Sequence, residues 1–263
     1  MKKYFFKLII LAAFAFASCQ QEEISAPINN ISETEAAQIK ALGFSTKDVI
    51  KEKDGFIVEG DIFLSKEDLN RKLGGEILRI GEAEQYRTTQ LVTGLPRVIK
   101  VALSNTIPAS FGAALDVAIS RYNAENLSIT FQRVEKKQDI LFYKAPLGVG
   151  YLASAGFPTA QGYVYPLILV NADALAIASP NTIASVFAHE IGHCIGFRHT
   201  DFMNRAFSCG GPASNEGAGD IGAIHIPGTP TGPDAGSWML SCIGRNTNRP
   251  FNANDKIALA YLY

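Results

Sequence analysis

The chain has 263 residues, 47% of them hydrophobic and 19% charged, a balance that fits one medium globular domain with a smaller companion and excludes a disordered or fibrous chain. A formal charge of -1, with no block of Lys or Arg beyond the extreme N-terminus, excludes the electrostatic footprint of a nucleic-acid binder.

In chain order, residues 1–18 read as an export leader: Lys2, Lys3 and Lys7 precede the apolar run Leu8 to Ala17, which is too short to span a bilayer stably. The leader ends Phe16-Ala17-Ser18-Cys19, which resembles a lipobox. That resemblance implies a diacylated Cys19 as mature N-terminus and a lipid anchor as the chain's contact with membrane; an ordinary cleaved secretory signal is the competing reading. The following Gln20-Gln21-Glu22-Glu23 resembles the acidic tag of surface lipoproteins, which implies the outer membrane or cell surface, or release after processing. Residues 19–31 are polar and aperiodic, as a tether is.

Folded structure is expected from Ser32, where Ser32 and Glu35 make a capping-box pattern before a short helix that Gly43 stops. Phe56 to Leu64 reads as one strand, Ser65 and Asp68 cap another short helix, and 74–95 is turn-rich, so 32–95 forms a separate N-terminal region. From 96 the pattern becomes regular. A strand is predicted at 97–103, an amphipathic helix at 109–125, strands at 127–134 and 138–143, a small-residue loop from Gly148 to Gly162, and a strand from Tyr163 to Asn171. Ser179 and Pro180 then open a helix through 195, residues 208–236 form a long Gly/Pro-rich stretch, and Ala253 to Leu262 closes the chain as a helix. The fold class is α+β.

Export implies an oxidising compartment, in which Cys194, Cys209 and Cys242 leave one thiol free. On a helix through 182–195, Cys194 shares the apolar stripe of Ile183, Phe187 and Ile191 and reads as a core thiol. Cys209 and Cys242 are then the candidate bridge, although spacing alone does not fix the connectivity.

His189-Glu190-Ile191-Gly192-His193 is HExxH, and the helical period puts both imidazoles on one face with Glu190 beside them. Gly196 permits a left-handed exit, after which His199 can swing back as a third ligand. Five fixed positions reduce chance occurrence to on the order of one chain in a hundred thousand, and three of the chain's four histidines fall in this register. Three imidazoles suit one catalytic Zn2+ and leave its fourth position open, while Glu190 is placed to act as general base.

HExxHxxGxxH is the signature of the metzincin zinc peptidases, and HEIGHCIGFRHTD from His189 to Asp201 resembles the bacterial dual-action HEIGH-type group within them. The resemblance implies a zincin with a mixed twisted sheet, two long helices including the active-site helix, and a small irregular C-terminal subdomain, spanning 96–263. It implies endopeptidase activity on protein or peptide substrates. It also implies a Met-turn at Ser237-Trp238-Met239, with Met239 as floor of the metal site, while Ser241 stands where some metzincins carry a switchable Tyr. Gly150 to Pro158 resembles the edge strand along which substrate lies, and 221–238 resembles the loop lining the primed side, where His225 could meet substrate. Asp201 is a candidate to orient a ligand or lock the subdomain. Val58-Glu59-Gly60-Asp61-Ile62-Phe63 resembles the FxGDxI motif of astacin pro-segments, with Val58 for Phe and Phe63 for Ile. That resemblance implies Asp61 as an inhibitory fourth zinc ligand and a latent precursor; a plain Gly-Asp turn is the competing reading. A surface binding or adhesion lipoprotein, zinc-stabilised and without turnover, is the alternative function, against which the base Glu190 speaks.

Overall fold

The computed structural model describes residues 31–70, 85–218, 221–230 and 232–263. The leader, Cys19 and all but the last residue of the tether lie outside them, as does half of the turn-rich stretch 74–95. Among the described residues no helix is long and apolar enough to cross a membrane.

In order, the elements are α1 Glu33–Ala41, β1 Ile50–Lys51, β2 Gly55–Val58, β3 Ile62–Ser65, α2 Lys66–Leu69, β4 Tyr86–Arg87, β5 Arg97–Leu103, α3 Gly112–Asn123, β6 Ile129–Arg133, β7 Ile140–Lys144, β8 Ala153–Ala155, β9 Leu167–Val170, α4 Ala172–Leu175, α5 Pro180–Cys194, α6 Ala206–Cys209, β10 Ile224–His225 and α7 Ala253–Leu262. The starts of α1, α2, α4, α5 and α7 follow side-chain caps. Ser32 Oγ accepts from Glu35 N (3.1 Å) while Ser32 N donates to the Glu35 carboxylate (2.7 Å), and Ser65 makes the same reciprocal pair with Asp68.

An eight-stranded mixed sheet runs in the order β1-β2-β3-β8-β9-β7-β5-β6, and β4 and β10 form a separate antiparallel pair. β5, β6, β7 and β9 are parallel, β8 runs antiparallel to β9, and β3 joins β8 in parallel. α3 and α5 pack on each other, and Phe187 of α5 meets Phe142 of β7 (ring centroids 4.6 Å) and Phe111 (6.3 Å), so the active-site helix is seated on the sheet through its aromatic face.

The structure departs from the expectations at several points. Residues 56–64 are not one strand but the hairpin β2–β3, reversed by Glu59-Gly60-Asp61 with positive φ at Glu59 (54°) and Gly60 (94°). An apolar run on both sides of the turn hid it, because every residue of β2 is buried and no alternation marks the reversal. Within the N-terminal region, β1, β2 and β3 extend the same sheet. The strand expected over 163–171 is confined to β9, Gly148–Gly162 contains β8, and residues 109–111 form a 3-10 turn before α3.

Candidate metal centre

The sequence of α5 sets the position of the site. Ser179 Oγ accepts from Thr182 N (3.1 Å), Pro180 fills the first turn, and the helix ends at Ile195. Gly196 then takes φ 107°, where a Cβ would come within 2.7 Å of Gln90 O, so a side chain is excluded by both conformation and space. The exit is pinned as Thr88 N donates to Gly196 O (2.8 Å), Arg198 N to Tyr86 O (2.9 Å) and Thr200 N to Met239 O (2.9 Å). His199 thereby returns to the helix, its ring centroid 5.3 Å from that of His189 and 4.9 Å from that of His193.

All three imidazoles are tied at Nδ1: His189 to Trp238 O (2.9 Å), His193 to Phe197 O (2.8 Å) and His199 to the Glu216 carboxylate (3.1 Å). Donation from Nδ1 fixes the tautomer and leaves Nε2 of His189 and of His193 a bare acceptor, while His199 donates from Nε2 to Asp61 Oδ2 (3.2 Å). Nε2 of His189 and of His193 is buried with no hydrogen-bond partner. Asp61, at the end of the β2–β3 turn, brings its carboxylate to 3.2 Å from His199 Nε2 and 3.5 Å from His189 Nε2. One ligand atom from each of Asp61, His189, His193 and His199 lies within 4.8 Å of all the others. Orphaned buried acceptors and a three-nitrogen, one-oxygen donor set fit one zinc ion.

Met239 is fully buried under this cluster. A Cβ on Gly192 would stand 2.5 Å from Met239 Sδ and 3.1 Å from Trp238 Nε1, so glycine between the two helical histidines is what lets the Ser237–Met239 turn approach α5. That turn is itself held: Ser237 Oγ accepts from Gln85 Nε2 (3.1 Å) and Met239 N (3.2 Å), and Trp238 N donates to Asp255 (3.2 Å) at the start of α7.

Glu190 is 2% exposed, with Oε2 lacking a partner. Burial, reinforced by the charge of Asp61, pushes its carboxyl well above the usual range. Burial also opposes charge on His193, and with His189 and His199 beside it keeps that imidazole neutral, the form a metal requires. On Asp61 burial acts upward, but His199 and the contact with His189 prevail and hold the carboxyl well below its ordinary value. Beside Glu190 and His189 opens a cavity of about 210 Å³, bounded by Gly150–Ala153, Val186, Leu240–Ile243 and Arg249.

With this geometry in place, the model of one peptidase family, described as dual-action HEIGH metallo-peptidase, matches residues 56–263. The chain belongs to this family. Zinc is the metal that membership implies, and the match begins at Phe56, so it takes in the hairpin as well as the helix. Two solved structures of myroilysin are similar: one is 20% identical over 68% of this chain and 98% of that chain, with a TM-score of 0.44, and the other 18% identical over 66% and 86%, with a TM-score of 0.40. No curated protein matches the chain.

In this HEIGH peptidase the N-terminal hairpin is locked onto the site. Ala155 N donates to Asp61 O (3.0 Å) and Ile62 pairs with Ala155, so β3 covers the edge of β8, the strand of the Gly150–Pro158 segment. Glu59 Oε2 meets Arg198 Nη2 at 2.8 Å with both side chains fully buried. Burial, with Glu216 close by, raises the Glu59 carboxyl, and Arg198 pulls it back.

Cys209 and Cys242 form a disulfide and Cys194 is a buried free thiol. Asp201 ties the loops together, its Oδ1 accepting from Ser241 N (3.0 Å) and Oγ (2.8 Å) and its Oδ2 from Ser208 Oγ (2.6 Å). Of the described residues in 221–238 only Trp238 borders the cavity; the wall there is 240–243, and His225 lies in β10 against Thr229 Oγ1 (3.0 Å) instead. The cause is local, since pairing with Tyr86 of β4 carries His225 into the small sheet. Glu216, Glu59 and Arg198 were not foreseen. Glu216 is the one Glu within 208–236, a signal of a kind, but its partner is 17 residues away across an irregular loop.

Proposed function

We propose that this metallopeptidase is an endopeptidase of the metzincin type, made as a precursor whose own Asp61 closes the metal site. The observation that carries the reading is the convergence of three Nδ1-anchored imidazoles and Asp61 beside the unpartnered carboxylate of Glu190. Zinc held there would supply a Lewis acid for the scissile carbonyl and would lower the pKa of water to near neutrality. His189, His193 and His199 are its ligands, and Met239 packs beneath them. Glu190 takes a proton from the attacking water and passes it to the leaving amine, and its burial raises its basicity toward that task. Ser241 cannot stand in for a switchable Tyr, since its hydroxyl is committed to Asp201.

Latency is supported by two contacts of one hairpin. Asp61 occupies the side of the imidazoles where water would stand, and β3 fills the strand edge that an extended substrate would use. In the cell, a leader with Cys19 as lipid anchor would hold the protein at the outer membrane or cell surface, acting on proteins or peptides.

Glu190→Ala tests the catalytic assignment. It is expected to keep its zinc while casein cleavage falls at least about a hundredfold, the usual size of a general-base contribution; undiminished cleavage with metal bound would sink it. Asp61→Ala is expected to raise cleavage by the uncut chain, and equal turnover by the two full-length proteins removes Asp61 as the latch.

A further inference from the structure

The cavity beside His189 and Glu190 has a chemical character of its own. Its walls are apolar through Val186, Trp238, Leu240 and Ile243, but one charged side chain borders it without a protein partner that satisfies it. Arg249 is half-buried and its guanidinium makes one hydrogen bond, from Nη1 to Cys242 O (3.0 Å); among the described residues no carboxylate lies within ion-pair distance of it. Asp201 and Asp255 act on it only through space, and each is held by other donors. Tyr151, 4% exposed, borders the same cavity, and its hydroxyl is buried with no hydrogen-bond partner. The other cation at the wall, Arg205, is already paired with Glu216 (3.3 Å).

An unpaired guanidinium against apolar walls is costly unless a ligand brings the missing acceptor. The acids bordering the cavity, Asp61 and Glu190, stand at its metal end, leaving the Arg249 end free for an incoming anion. A volume of about 210 Å³ accommodates one carboxylate side chain with its neighbours' van der Waals surfaces. We infer that this cavity selects substrates carrying Asp or Glu next to the scissile bond, with Arg249 as the residue that determines the choice. Arginine suits the role because its planar fork can keep one N–H on Cys242 O and turn another to the ligand. The inference rests on the peptidase reading for its substrate, but the charge preference of the cavity stands apart from turnover.

Two measurements on the full-length chain, before and after limited proteolysis, separate the cases. Cleavage products of a mixed peptide library are sequenced for wild type, Arg249→Gln and Arg249→Glu, with melting temperatures to show that each variant is folded. Wild type is expected to favour Asp or Glu at one position beside the cut by about tenfold or more, the scale of a hydrogen bond to a charged group. Arg249→Gln should lose that preference, and Arg249→Glu should turn it toward Lys, which a merely structural arginine would not do. If Arg249→Glu does not fold, the wild-type and Arg249→Gln profiles carry the decision. In parallel, binding of aspartyl and leucyl hydroxamates to the zinc-loaded protein is measured by calorimetry. Cleavage without an acidic preference overturns the inference and leaves the peptidase reading intact. Absence of all cleavage removes the peptidase reading, and the inference then stands on tighter aspartyl binding and falls if both hydroxamates bind alike.

Discussion

At the scale of single residues, each candidate metal-site histidine is aimed by a partner at Nδ1, and those of His189 and His199 come from distant chain segments. Glu216 is the clearest, since it accepts from His199 Nδ1 while itself receiving Arg205 and Ser241. Burial tends to raise its carboxyl, but His199, Arg198 and Arg205 prevail and hold it ionised below its ordinary value. Glu216→Gln is expected to weaken zinc binding by roughly 10- to 100-fold, the usual cost of losing a group that orients a metal-bound histidine. Competition with a chelator measures it, and unchanged affinity would show that His199 needs no such support. The metal residues within α5 and just beyond it were legible because their geometry is local: helical period, glycine exit, returning histidine. Glu216, and the Gly192 contact with Met239, depend on chain segments brought together only by the fold.

Among elements, the β2–β3 hairpin is the one on which the proposed latency rests. Its strands bury Phe56, Val58, Ile62 and Leu64 against α1 residue Ile39 and Ile221, while Ile57 faces Tyr151 and Ala145 on the other side. The turn carries both Asp61 and Glu59, so metal contact and the buried contact to Arg198 are made or lost together. Removing one partner of a buried ion pair costs about 3–5 kcal/mol when nothing replaces it. Release of the hairpin lets water reach Arg198, so Glu59→Ala is expected to loosen the hairpin rather than unfold the chain. Faster amide exchange confined to β2 and β3, with increased cleavage of casein, is the expected outcome; exchange at the wild-type rate would show that Arg198 does not hold the hairpin. Helices with side-chain caps were read closely from sequence, because a cap is a contact over three residues. The hairpin was not, because a strand buried on both faces has no alternation, and three-residue β8 gave no periodic signal.

Across the whole molecule, the sheet runs across the boundary expected at residue 96, and the family match begins at Phe56. Sequence patterns identified the α+β class and the sheet-plus-helix core from α3 through α5, where parallel strands and amphipathic helices alternate. They did not identify the join of β3 to β8, which links Ile62 with Ala155 across most of a hundred residues. That join makes the N-terminal segment part of the sheet and brings its Asp61 against the histidine cluster. The most direct test is X-ray absorption at the zinc edge on the full-length protein. One zinc per chain bound by three imidazole nitrogens and one carboxylate oxygen, with the oxygen signal changed in Asp61→Ala, is the result this structure requires. A sulfur ligand, fewer than three imidazoles, or a spectrum indifferent to Asp61→Ala would contradict it.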